Sequence, residues 1–477
     1  MIEVDISGTE FSYDMKALAM VFYPEKECRV VEHPEVSTED GYSIKWQMDG
    51  KKWEKLFPNP YTKNQIKKEV YEYLKTKSGK ELPWGILTGI RPAKIPLRLM
   101  MQGQEEAAIW DILKEEYFCR DDKVKLAMDV AKKEFSLTQG MQHERCANVY
   151  IGIPFCPTIC AYCSFSSFPA GRYRDKMDAY LDALEKEMTQ CKEWLAGKQM
   201  VSVYVGGGTP TSLSEEQFER LMAMTEKYLP MEQSKEFTVE AGRPDSITEG
   251  KLRSMKTHGV TRISINPQSM KEHTLELLGR KHTVEEIREK FMLARTLGFD
   301  NINMDLIAGL PEETLEDFKE TLREVEALKP DSITVHTLVI KRASRLRKEQ
   351  LEQGGEMREE DACIEPMQKE AEQFCRVHGY EPYYMYRQKN KAHTTRSTNQ
   401  ENVAYAKPGK ECLYNIFIME ELQSILALGA GASTKFVMND RIERAENVKD
   451  IKNYIERIDE MIERKKQGYC DYEKNRV

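Results

Sequence analysis

Two periodicities divide the chain. Over residues 1 to about 57, short apolar segments (ALAMVFY, CRVVEH, YSIKWQM) alternate with polar ones and are broken by GTE, HPEV and DG, which predicts a small β-rich unit. Residues 61 to 138 change to helical spacing in KNQIKKEVYEYLKT and DDKVKLAMDVAKKEF, with LPWGILTGIRPAKIP between them. From 148 onward strands are expected at 148–153, 201–205, 236–240, 260–265, 301–307 and 332–337. Helical stretches such as KMDAYLDALEKEMTQCKEWL, SEEQFERLMAMTEKYL, VEEIREKFMLARTLG and LEDFKETLREVEAL separate them. Strands alternating with helices imply βαβ units and a parallel sheet, so the expected fold is α/β with a partial (β/α)6 barrel.

The expected organisation is therefore an N-terminal α+β accessory domain over 1–140, the six-unit core over 141–340, and a C-terminal cap with a helical tail over 341–477. Residues 341–377 are highly charged and read as a helix or solvated connector, and 441–477 as a charged helical end. In α/β barrels the functional residues gather at the C-terminal ends of the strands. Here Cys156, Gly206 to Pro210, Glu240, Gln268, Asp305 and His336 all fall at or just after such ends, which places them at one mouth.

Composition narrows the class. The 79 acidic residues outnumber the 71 basic ones, a net charge of -8 that argues against a general nucleic-acid binder. No apolar run approaches the ~20 residues of a membrane span, and MIEVDISGTE lacks the basic and apolar regions of a leader, so a cytoplasmic location is expected.

The chemistry concentrates in YIGIPFCPTICAYCSF, where Cys156, Cys160 and Cys163 have the spacing C-x3-C-x2-C. Three thiolates on a tight loop suit three irons of a [4Fe-4S] cluster and leave the fourth open. A structural zinc site would want a second ligand pair, which is missing, and eleven cysteines in 477 residues are too sparse for a disulfide framework. GGGTP, after the second strand, removes side chains where the backbone must approach a ligand. It is not a P-loop, and GAGAST at 429–434, which is read as following a helical stretch, lacks the βαβ context of a dinucleotide loop.

The motif Y-x-G-I-P-F-C-x3-C-x2-C-x-F resembles the cluster motif of the radical S-adenosylmethionine (SAM) superfamily. With GGGTP, TVEAGRPD, RISINPQSM, ENVAYAKPG and YNIFIMEE it is similar to the oxygen-independent coproporphyrinogen III oxidase family, over about residues 80 to 436. The resemblance implies a [4Fe-4S] cluster on Cys156, Cys160 and Cys163, and SAM as cofactor. It also implies SAM contacts at Tyr150, Gly208, Thr209, Glu240, Gln268, Arg280, Asp305 and Ile307, with Arg280 matched to the SAM carboxylate and Asp305 to ribose hydroxyls. The implied activity is oxidative decarboxylation of a tetrapyrrole, coproporphyrinogen III, in haem synthesis, with electrons from a donor such as flavodoxin or ferredoxin. Arg387, Lys389, Arg396 and Lys407, in the region that family members place over the barrel, are candidate contacts for the substrate's propionates.

Two positions depart from the oxidase pattern. Phe165 stands where the oxidases have a further cysteine, and Gly152 where they have histidine. The C-x-F ending resembles the haem-chaperone relatives, but their HNxxYW signature is missing and YNIFIME occupies that region. A different radical SAM reaction on a tetrapyrrole (ring opening or methylation) and a haem carrier without turnover therefore stay open.

Overall fold

The computed structural model describes residues 1–477 except 25, 36–40, 341–343, 347, 349–362, 389–399, 439–440 and 475–477, and the side chains of 191, 192 and 233. The chain divides into two units. The first holds Met1–Ser136, Gln350–Glu365 and Met385–Asn402, the second Leu137–Glu349, Pro366–Tyr384 and Val403–Val477. The described residues after 340 contribute to both units.

In the first unit β1 (Ile2–Ser7), β2 (Cys28–His33), β3 (Tyr42–Met48) and β4 (Lys51–Phe57) form a sheet in the order β2-β1-β3-β4. β1 and β2 are parallel, and the other pairs are antiparallel. Asp49 and Gly50, with φ of 51° and 75°, make the two-residue turn that closes the β3–β4 hairpin. Alternate residues Ile2, Val4 and Ile6 are buried with Leu18 and Phe22 of the helix Ser12–Phe22 and Val70 and Leu74 of the helix Lys63–Ser78. The second helix begins at a capping box, Thr62 with Gln65, and stops at Gly79, where φ is 66°.

In the second unit the chain runs through β5 (Cys146–Ile153), the short strands β6 (Phe155–Cys156) and β7 (Phe168–Pro169), then β8 (Gln199–Gly207), β9 (Glu236–Gly242), β10 (Arg262–Ile265), β11 (Ile302–Ala308) and β12 (Ser332–Thr337). It continues as β13 (Glu381–Arg387) and β14 (Glu401–Ala406), whose residues are divided between the two units, and then as β15 (Ser424–Leu428), β16 (Ser433–Val437) and β17 (Ile442–Glu446). Among the described residues the main sheet is open, in the order β13-β14-β12-β11-β10-β9-β8-β5-β15-β16-β17. The six strands read from the sequence lie side by side in chain order and parallel, so the six-unit core is present. β15 adds a seventh parallel strand beside β5.

Each core strand shows two faces. Val149, Ile151, Val203, Val205, Phe237, Val239, Ile263, Met304, Leu306 and Ile333 make one face, all at most 2% exposed. The residues between them are polar: Asn148 and Tyr150, Ser202 and Tyr204, Glu236, Thr238 and Glu240, Arg262 and Ser264, Asn303 and Asp305, Ser332, Thr334 and His336. Register aligns these into rows, with Asn148 beside Ser202 beside Glu236, and Ser264 beside both Glu240 and Asn303. A polar inner face this deeply buried requires partners. Ser202 donates to Asn148 Oδ1 at 2.6 Å, and Ser332 and Thr334 donate to Asn303 Oδ1 at 3.0 and 3.1 Å.

The C-terminal motifs close and brace this interior. Glu236 accepts from the backbone amides of Leu413 (2.6 Å) and Tyr414 (3.2 Å), the first turn of the helix Leu413–Glu420 formed by YNIFIMEE. Tyr414 stacks on Tyr204 at 4.5 Å and on Tyr150 at 6.0 Å between ring centroids. GAGAST follows strand β15, not a helical stretch as the sequence suggested, and leads into β16. Gly429 packs on the end of β5, where a Cβ would lie 2.4 Å from the Gly152 carbonyl oxygen. The tail begins with β17 before its helices, because Thr434 and Phe436 alternate inward opposite Ala445 and Glu443.

Candidate functional site

β5 delivers the chain to the mouth at Ile153, and the cysteine loop starts three residues later. Its turn is held internally by the Cys163 amide on the Cys160 carbonyl (3.0 Å) and externally by Ala161 N on Leu278 O (3.0 Å) and Thr158 Oγ1 on Gly279 O (3.0 Å). The glycine run closes on it from β8: Gly208 N donates to Ile153 O (2.8 Å) and Thr209 N to Phe155 O (2.7 Å). A Cβ on Gly208 would stand 2.6 Å from Phe155 O, and one on Gly206 2.8 Å from the Glu240 carboxyl. These glycines are therefore required by close approach of the chain to itself, which sets the loop against the acidic group.

Cys156, Cys160 and Cys163 are each partly exposed. Burial pushes the Cys156 thiol up to about 11, with the neighbouring cysteines adding to the shift and Thr209 Oγ1, 3.6 Å from its sulfur, opposing it. A thiol shifted this way needs a metal's positive charge to become a thiolate. Among the described residues no three His, Cys, Asp or Glu side chains converge on a point that would hold one ion. Donors surround the Cys160 sulfur: Arg280 Nη1 at 3.8 Å and Arg243 Nη1 at 3.9 Å.

Around this loop the predicted SAM residues come together. Glu240 accepts from Tyr204 Oη (2.5 Å) and Gly207 N (3.3 Å). Burial raises its carboxyl to about 7, and the charge of Asp305 adds to the shift, while those two donors work against it. Burial also works to raise Asp305, but His336, Asn303 and Thr334 outweigh it and hold that carboxyl low. Asn303 Nδ2 donates to it at 2.7 Å, and His336 Nε2 lies 3.9 Å away. Gln268, at φ 70°, links the strand ends, its amide donating to Asp305 O (2.9 Å) and its carbonyl accepting from Ile307 N (3.0 Å). Ile307 itself packs with Leu278, Leu310 and Leu338. Arg280, 5% exposed, donates to Asn266 O and to Tyr162 Oη (3.3 Å).

Of the four candidate propionate contacts, Lys407 and Arg387 lie among the described residues. Lys407 N donates to Asp331 O (2.9 Å), just before β12 begins, so it sits at the opposite, N-terminal end of the parallel strands, with its ammonium 5.3 Å over the Tyr380 ring. Arg387 belongs to the first unit, where it donates to Leu87 O (2.5 Å) and lies over Trp84. Lys389 and Arg396 lie outside the described residues. The sequence reading in turn missed Arg243, Asp245 and His282, which join Arg280 around the cysteine loop. EAGRPD was noticed only for its glutamate, and polar residues just beyond a strand end were the available signal.

The sequence profile of the Radical SAM superfamily matches residues 150–325. The chain is 40% identical over 409 residues to the oxygen-independent coproporphyrinogen-III oxidase-like protein HemZ of Bacillus subtilis, covering 84% of this chain and 80% of that protein. It is 33% identical to the heme chaperone HemW of the same organism, covering 66% and 76%. Among solved structures, coproporphyrinogen III oxidase (HemN) from Escherichia coli, described as a radical SAM enzyme, superposes with a TM-score of 0.54 at 25% identity, covering 69% of this chain and 72% of that one.

Proposed function

Because the chain belongs to the radical SAM superfamily and, within it, to the oxygen-independent coproporphyrinogen III oxidase-like family, we propose that it converts coproporphyrinogen III to protoporphyrinogen IX without oxygen in haem synthesis. Each of two propionates would lose a β hydrogen atom, carbon dioxide and one electron, leaving a vinyl group. The observation that carries the reading is the meeting of three loop cysteines with Glu240, Arg280 and Asp305 at one end of a polar-lined parallel sheet.

When bound, the cluster would pass an electron, taken from a donor such as flavodoxin or ferredoxin, to SAM and release a 5′-deoxyadenosyl radical. The chain's own residues would orient SAM for that step. Glu240 suits the methionine ammonium, Arg280 the carboxylate and Asp305 the ribose hydroxyls, with Gly208, Thr209 and Gln268 shaping the cradle and Tyr150 and Ile307 its walls. Lys389 and Arg396 remain proposed propionate anchors. Phe165, 75% exposed in the cysteine loop, offers an aromatic face to a pyrrole ring of the substrate. A cytoplasmic location accords with the thiol chemistry, and among the described residues no helix is long and apolar enough to cross a membrane.

The likeness to HemW supports a second reading, a haem carrier without turnover. Anaerobic incubation of the cluster-loaded protein with reductant, SAM and coproporphyrinogen III separates the two. The proposal expects 5′-deoxyadenosine and protoporphyrinogen IX together. Deoxyadenosine alone would move the substrate to another tetrapyrrole reaction, ring opening or methylation, and neither product with tight haem binding would favour the carrier.

A further inference from the structure

Arg243 and Asp245 have no part in the proposed function above. Arg243 is 4% exposed, and its guanidinium is fixed by its neighbours. Nε and Nη2 donate to the two Asp245 oxygens at 2.9 and 2.6 Å, and Nη1 donates to Thr158 Oγ1 at 2.6 Å and Thr158 O at 3.1 Å. Asp245 is in turn 3.8 Å from His282 Nδ1. Burial works to raise the Asp245 carboxyl, but His282 and Arg243 outweigh it and hold it well below the usual range. The ion pair is thus permanently charged at neutral pH, and it parks Arg243 Nη1 3.9 Å from Cys160 Sγ. Arg280 Nη1 reaches the same sulfur at 3.8 Å, whereas the side-chain donors on Cys156 are the neutral hydroxyls of Thr209 and Ser167.

We infer that Arg243 sets the reduction potential of the iron–sulfur cluster by donating to the Cys160 sulfur. This rests on the cluster reading given above. Reduction adds one electron, supplied from outside by a one-electron reductant, and makes or breaks no bond. A fixed cation beside one ligand sulfur stabilises the more negative, reduced form and raises the potential. Held by Asp245 and Thr158 with Nη1 shared between Thr158 and the Cys160 sulfur, Arg243 has a role different from that of a SAM-binding arginine. It is a positioning residue, because it acts through Cys160 and not on substrate.

The test is a dithionite titration of the reconstituted protein, followed by the paramagnetic resonance of the reduced cluster, on wild type, Arg243→Met, Arg243→Gln and Arg243→Lys. Arg243→Met is expected to keep the wild-type iron and sulfide content and to hold at least tenfold less reduced cluster at a fixed potential, a shift of about 59 mV for one electron. Arg243→Lys, which keeps the charge, is expected to shift less. A wild-type potential in a fully loaded Arg243→Met protein would overturn the inference, as would a shift in Arg243→Lys equal to that in Arg243→Met. Should Arg243→Met fail to hold a cluster, Arg243→Gln decides by the same criterion. Absence of iron from the wild-type protein would instead count against the proposed function, and iron content alone tells the two failures apart.

Discussion

Lys465→Met should weaken the second unit through a pair buried far from the cysteines in sequence. Lys465, on the helix Ile458–Lys474, and Glu187, on the helix Met177–Trp194, both have fully buried side chains and are in direct contact. Glu187 also accepts from Tyr454 Oη (2.7 Å), Gly429 N (2.8 Å) and Asn447 Nδ2 (2.9 Å), while Lys465 has Asn447 Oδ1 (2.6 Å) as a second partner. Removing one member of a buried pair costs about 3–5 kcal/mol, because a charge is left without its counterpart. Glu187 would keep three donors, so Lys465→Met belongs near the lower end, about 3 kcal/mol. Glu187→Gln should cost as much or more, since the ammonium keeps fewer acceptors. The double variant should cost less than the sum, by up to about 3 kcal/mol, because neither charge then stands alone. Urea unfolding of the apoprotein under reducing conditions measures all three. Single variants within about 0.5 kcal/mol of wild type, or strict additivity, would refute the reasoning. The network also matters for the mouth. Gly429 packs against Gly152, and Tyr180 Oη donates to Gly152 O (2.7 Å) and accepts from Ala430 N (3.0 Å), so its loss should also reduce retained iron.

Other outcomes follow from single contacts. Gly208→Ala puts a methyl 2.6 Å from the Phe155 carbonyl, so the cysteine loop must shift; iron bound per chain should drop sharply while the helical circular-dichroism signal is kept, and full iron loading would contradict this. Because burial holds Glu240 near 7, well above an ordinary glutamate, protons compete with the SAM ammonium as pH is lowered through 7. SAM affinity should therefore fall toward tenfold per unit below that value, and the fall should vanish in Glu240→Gln; the same pH profile in both proteins would remove Glu240 from the site.

The six core strands were legible because a strand buried on both faces still carries a period of two, here apolar outside and polar inside. NVYIG, SVYVG, TVEAG and ISIN repeat that pattern, and GGGTP and the cysteines mark two of the strand ends. β15 was not legible, since SILAL is a short apolar run that fits a buried strand or a helix equally, and its place between β5 and β16 rests on a long-range pairing with β5. β17 was hidden in a charged tail whose composition favours helix. The division of the C-terminal stretch between two units has no local signature at all. At the site, residue type and strand-end position found Glu240, Gln268 and Asp305, but they could not foretell that Arg243 would turn back onto the cysteine loop. Nor could charge alone place the propionate anchors, since Lys407 is a basic residue at the wrong end of the strands.

The central claim is that Cys156, Cys160 and Cys163 hold a cluster with one iron left open to SAM. The most direct measurement is the paramagnetic resonance of the anaerobically reconstituted, dithionite-reduced protein with and without SAM, beside Cys160→Ala. The account predicts a [4Fe-4S] signal that changes when SAM is added and is lost in a folded Cys160→Ala. A signal indifferent to SAM, or one that survives the loss of Cys160, would contradict it.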